Sequence, residues 1–152
     1  MSKAFTKEDD DGVAPEEPLP PRSTTPQPVT PEGLAHLRAE HAALAARSGA
    51  LDAAETRRLR IVGRILDTVY AREPALEDGG AGFGCVVSFE DDDGRVTTYR
   101  LVGADEADLA AGRLSIASPL ARALVGKTAG DVVTLRRPKG DTEVRVKDVR
   151  LA

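Results

Sequence analysis

An α+β fold, a helical hairpin followed by a small antiparallel sheet with one short helix, is predicted by a change of hydrophobic period along the 152 residues. Apolar residues recur at three and four from Leu34 onward, then at two beyond Cys85. Hydrophobic residues are 41% of the chain, enough for a core, but aromatics are 3% and Trp is absent, so that core is aliphatic. The same scarcity argues against stacking platforms for bases, and a net charge of -4 argues against nucleic-acid binding through overall basicity. A local basic face is the remaining route. The single cysteine, Cys85, leaves no internal disulfide, and no Cys/His cluster is spaced for zinc. No apolar run nears the ~20 residues of a membrane span, and the opening MSKAFTKEDDDG has no signal-type stretch. These features predict a cytoplasmic chain with no membrane contact, no metal and no cofactor of its own.

Residues 1–29 read as a disordered tail: Pro15, Pro18, Pro20, Pro21, Pro26 and Pro28 follow the acidic run Glu8, Asp9, Asp10, Asp11, and only Phe5 resembles an anchor. Residues 30–75 read as an antiparallel coiled-coil hairpin. Thr30 can cap its first helix, Pro31 suits the first helical position, and Glu32 favours the positive end of the dipole. Leu34, Leu37, His41 and Leu44 form the first stripe, which runs to about Arg47 before Ser48, Gly49 and Ala50 break it. Leu59, Val62, Leu66, Val69 and Leu76 form the second, with Pro74 ending the helix. So short a turn folds the helices back, their stripes meeting on a seam. Because the stripes satisfy each other, a monomer is expected. His41 falls in the seam, and His36 points elsewhere, so the two are not a ligand pair.

Residues 76–84 are rich in glycine and read as a hinge. Residues 85–152 read as the sheet domain. Cys85 to Glu90 and Val96 to Leu101 flank an Asp-rich turn, and Asp131 to Leu135 and Thr142 to Leu151 flank Pro138, Lys139 and Gly140, which gives four strands in two hairpins. In the last strand Val144 and Val146 are out of phase with Val149 and Leu151, so a bulge is expected near Lys147 and Asp148. Pro119 to Val125 reads as a short helix capped by Ser118 and stopped at Gly126.

Within this domain stand Tyr99, Leu101, Val102, Gly103, then Asp105, Glu106, Ala107, Asp108, then Ser115, Ile116, Ala117, Ser118, Pro119, Leu120, Ala121, followed by Gly126, Lys127, Gly130 and Asp131. This pattern resembles the bacterial GreA/GreB transcript cleavage and elongation factors, over roughly Cys85 to Leu151. The hairpin ahead of it agrees with that family's order, and the opening MSKAFTKEDDD is similar to GreB-type chains. The resemblance implies a C-terminal domain of FKBP-like fold that binds RNA polymerase at the rim of its secondary channel, with the coiled coil directed inward. It also implies that acidic residues at the hairpin tip help hold a Mg2+ ion in the polymerase active site, where backtracked RNA is hydrolysed.

Two departures bear on function. The tip reads Arg47-Ser48-Gly49-Ala50-Leu51-Asp52-Ala53-Ala54-Glu55, which lacks the Glu-Asn and Glu-Tyr parts of the family's Gly-Asp-Leu-x-Glu-Asn-x-Glu-Tyr type motif. Asp52 and Glu55 are the surviving candidates, and a helix cap with its capping-box partner accounts for both. The first helix is also short, ~25 Å at ~1.5 Å per residue. Reduced hairpins of this kind resemble the Rnk regulator, which shares the C-terminal domain and is not expected to promote cleavage. A polymerase-binding modulator or competitor, not an enzyme, is therefore expected, the alternative being a cleavage-stimulating factor that uses Asp52 and Glu55.

Family matching assigns polymerase docking to Ser118, Pro119 and Leu120, where Ala117 stands in place of a polar residue, and to Asp105 and Glu106, for which structural loop roles are the first reading. Arg57, Arg60 and Arg64, with Arg58 beside them, resemble in kind a face contacting nascent RNA, while a solvated face paired with Glu55 and Asp67 is the plainer account. A prolyl isomerase needs an aromatic pocket, and this domain offers only Phe83, Phe89 and Tyr99. A Ser/His/Asp hydrolase is set aside because both histidines fall on the hairpin. Cys85 opens a strand and reads as a small buried residue.

Overall fold

The structure, a computed structural model, describes residues 17–152. Phe5 and the acidic run at 8–11 lie outside the described residues. In chain order the elements are β1 (Gln27–Val29), α1 (Pro31–Ala46), α2 (Ala53–Leu66), β2 (Val69–Ala71), β3 (Cys85–Glu90), β4 (Val96–Val102), β5 (Arg113–Ser115), α3 (Pro119–Leu124), β6 (Val132–Leu135) and β7 (Thr142–Leu151). Short 3-10 turns at Ala104–Glu106 and Leu109–Ala111 link β4 to β5. The class is α+β, two helices ahead of a five-stranded sheet.

Both hairpin helices start where side chains satisfy free backbone donors. The Thr30 hydroxyl accepts from the Gly33 N–H at 3.0 Å, and Pro31 fills the first turn of α1. The Asp52 carboxylate caps α2. The turn between them passes through Gly49 at φ 97°, which a glycine adopts without strain. Val29, Leu37, Val62 and Ile65 are buried between the helices, with Leu34, Ile61, Leu66 and Val69 packed around them. His41 is half-buried beside Gly63 of the facing helix, a seam position. No helix among the described residues is long and apolar enough to cross a membrane.

Three expectations need correction here. The second helix ends at Leu66 and not at Pro74, and Leu76 is 47% exposed, outside the apolar stripe. The cause is non-local: Val69–Ala71 pairs in parallel with Gln27–Val29, the Gln27 N–H reaching Thr68 O and the Arg72 N–H reaching Val29 O, each at 2.8 Å. The end of the tail is thus a strand, and Val29 is wholly buried. Residues 76–84 are no loose hinge either. Ala81 exchanges backbone hydrogen bonds with Lys127 and Gly126, and Phe83 is buried under the Arg72 guanidinium, 5.1 Å from its ring centre.

The main sheet runs β5-β4-β3-β7-β6. It is mixed, not purely antiparallel, because the loop after β4 returns through Gly112 at φ 78° and lays β5 parallel to β4. Opposite Ser88 and Phe89, β7 presents Asp148 and Val146, leaving Lys147 as the extra residue of a bulge where the change of phase places it. Alternate residues of β3, Cys85, Val87 and Phe89, face a core completed by Leu101, Leu114, Leu124, Val133, Leu135, Val144 and Val146. α3 covers that core with Ala121 and Leu124.

Candidate functional site

At the hairpin tip the two candidate acids are already engaged. Asp52 Oδ1 accepts from the Glu55 N–H at 2.8 Å, and the Asp52 N–H donates to Glu55 Oε2 at 3.1 Å, a complete capping box. Arg47 adds Nη1 to Glu55 Oε1 at 2.9 Å and Nη2 to Oε2 at 3.3 Å. Among the described residues no three His, Cys, Asp or Glu side chains are grouped to hold a metal ion.

The Arg47 hydrogen bond, then the Asp52 N–H, hold the Glu55 carboxyl below its ordinary value of 4.5, and Arg58 does the same for Glu40 across the helix pair. A depressed folded value stabilises the fold above the ordinary one and is lost as pH falls through it. Both pairs therefore support the hairpin at neutral pH, and helicity should decline as these two carboxyls protonate in acid. Carboxyl chemical shifts followed by NMR test this; titration of Glu55 at the ordinary glutamate value would refute it.

Along α2, Arg57 Nη1 donates to Glu17 O at 3.4 Å and Arg64 Nη1 to Pro20 O at 3.1 Å. Arg60 stands between them in sequence and lines a cavity with Leu19, His41 and Gly63. Arg58 turns away to Glu40, its Nε 2.6 Å from Oε1. The pairing with Glu55 considered from sequence is replaced by these partners, because Glu55 is taken by Arg47.

Asp105 and Glu106 face the joint between the hairpin and the sheet domain. Arg22 grips both Asp105 oxygens, at 2.6 and 2.7 Å, and its Nε reaches Thr68 Oγ1 at 2.8 Å. Glu106 sits over the start of α1, accepting from the Thr30 N–H, and from the Thr30 hydroxyl at 2.7 Å. Glu32 and Arg100 close the same joint at 2.5 Å. Sequence reasoning missed Arg22, whose only signal was being the one arginine among the first 29 residues.

Ser118, Pro119 and Leu120 follow β5 in the chain and open α3. The Ser118 hydroxyl accepts from the Ala121 N–H at 3.2 Å and its own N–H donates to Ser115 O at 3.0 Å. Pro119 is exposed, while Leu120 is half-buried against the core. A rigid corner results, with an apolar ring outermost.

A capped antiparallel helix pair fastened to a mixed five-stranded sheet that displays such a corner defines an α+β class of protein. The model for the C-terminal region of the transcription elongation factors GreA/GreB matches residues 76–151. The chain is 45% identical to transcription elongation factor GreA of Ralstonia nicotianae over 108 residues, 65% of this chain and 68% of that one. It is 38% identical to GreA of Rhodospirillum rubrum over 151 residues, 81% of this chain and 96% of that one. Among solved structures, GreA factor homolog 1 of Thermus thermophilus is 25% identical at a TM-score of 0.41, over 82% of this chain and 99% of that one. The chain belongs to the GreA/GreB family of transcription elongation factors.

Proposed function

We propose that this elongation factor binds bacterial RNA polymerase at the secondary channel and modulates elongation or competes with cleaving factors, without promoting RNA cleavage itself. Its C-terminal domain, FKBP-like in the sense of the family resemblance, docks through Ser118, Pro119 and Leu120, and the chain acts as a cytoplasmic monomer. The observation that carries this reading is the tip: Glu55 is held by Arg47 and by the capping box with Asp52, so neither acid is set up as a free metal ligand. Reach supports it, since the 16 residues of α1 span about 24 Å at ~1.5 Å per residue. Prolyl isomerase activity is not proposed, since neither the cleft beside His41 and Arg60 nor the one beside Thr30 and Arg100 is lined by Phe89 or Tyr99.

The test is a stalled, backtracked elongation complex with a limiting dose of a cleaving Gre factor. Added protein should lower the cleavage rate, and a rise would mean that Asp52 and Glu55 reach the polymerase Mg2+ after all. In the same system Pro119→Ala should weaken polymerase binding by roughly fivefold with the melting temperature nearly unchanged. Wild-type affinity in that variant would remove the corner from the interface.

A further inference from the structure

Residues 17–22 cross from α2 to the turn after β4, and their contacts differ in kind. Arg22 to Asp105 is a two-pronged pair with side chains only 20% and 13% exposed. The third prong, on Thr68, ties the same guanidinium to the end of α2. Towards the chain start the contacts loosen. Pro20 and Glu17 meet Arg64 and Arg57 with backbone carbonyls, and the Glu17 carboxylate stands 3.7 Å from Arg57 at 85% exposure. Leu19 and Pro20 flank a cleft of about 170 Å³ beside Ile61 and Ile65.

Below this segment, Arg57, Arg60 and Arg64 recur at three and four along α2, over ~10 Å at ~1.5 Å per residue. Guanidinium groups in such a row match successive phosphates of one strand, which accept more strongly than the peptide carbonyls that now meet Arg57 and Arg64. We propose that residues 17–22 are a strap over the arginine face of α2, latched by Arg22 on Asp105, which the phosphate backbone of single-stranded RNA must displace to reach Arg57 and Arg64. The proposal rests on the sequence reading of this face as RNA-proximal. The division of labour follows from burial: the shielded Arg22 pair holds the strap, and the exposed contacts over the face exchange readily.

The test uses the full chain and fluorescein-labelled oligouridine at low salt. Arg22→Ala and Asp105→Asn break the latch from opposite sides and leave every arginine of the face in place. Each should tighten oligouridine binding by about fivefold. The gain should vanish when Arg57→Ala and Arg64→Ala are added, and wild-type affinity should fall steeply with salt. Equal affinity in wild type and both latch variants overturns the strap, as does a gain that survives loss of Arg57 and Arg64. Polymerase binding by the wild type is read separately: its loss refutes the proposed docking and says nothing against the strap.

Discussion

Replacing Gly103 by alanine is expected to destabilise the protein by about 3 kcal/mol, at the upper end of overpacking costs. Gly103 has φ -64°, an ordinary value, so the effect is not one of backbone strain. It is one of space: an added Cβ would fall well inside contact distance of Pro28 O, with the Val29 backbone directly behind. Both obstacles are main chain of β1, which cannot swing aside as a side chain would. Relief requires β1 to lift, and β1 carries Val29, fully buried among Leu37, Val62 and Ile65. The expected results are a fall in melting temperature of roughly 10 °C and faster amide exchange at Arg72, whose N–H bonds Val29 O. Unchanged melting with Arg72 still protected would mean that β1 does not seat on Gly103. The consequence is also geometric, because β1 and the Thr30–Glu106 bonds tie the start of the hairpin to the turn after β4.

The features legible in the sequence are those whose causes lie within a few residues. Ser118 before Pro119, Asp52 three before Glu55, and the loss of phase between Val146 and Val149 each describe one turn or one strand, and each is found in place. What sequence reading missed is held by partners far along the chain. Val69 to Ala71 continues an apolar stripe and reads as helix until Gln27 to Val29 is brought beside it, about 40 residues away in sequence. Three-residue strands carry too little alternation to be recognised, and β5 was lost for that reason, its parallel partner β4 being joined to it through two 3-10 turns. The carboxylates of the joint show the same limit. Asp105 and Glu106 match a family segment, yet that they face Arg22 and Thr30 depends on how the hairpin lies on the domain, which no local pattern encodes.

Truncating Leu124 to alanine should have an effect of similar size by a different route, about 3 kcal/mol from lost burial and the cavity left behind. Leu124 is fully buried in the sheet-domain core and ends a helix of six residues. A helix so short has no stability of its own, so α3 stays where Ala121 and Leu124 pin it. The Ser118 cap and the Pro119 ring are carried on its first turn, and a loosened α3 would present them at no fixed angle. Polymerase binding should therefore weaken in Leu124→Ala beyond the loss seen in Pro119→Ala, even at temperatures where the sheet remains folded. Arg122→Ala is the control: its side chain is exposed on the same helix, and stability should change by less than about 0.5 kcal/mol. If Leu124→Ala binds polymerase as the wild type does while its melting temperature falls, α3 is only a lid on the core and the docking surface lies elsewhere on the domain. If binding falls in step with loss of α3 amide protection, the corner is presented by the core beneath it.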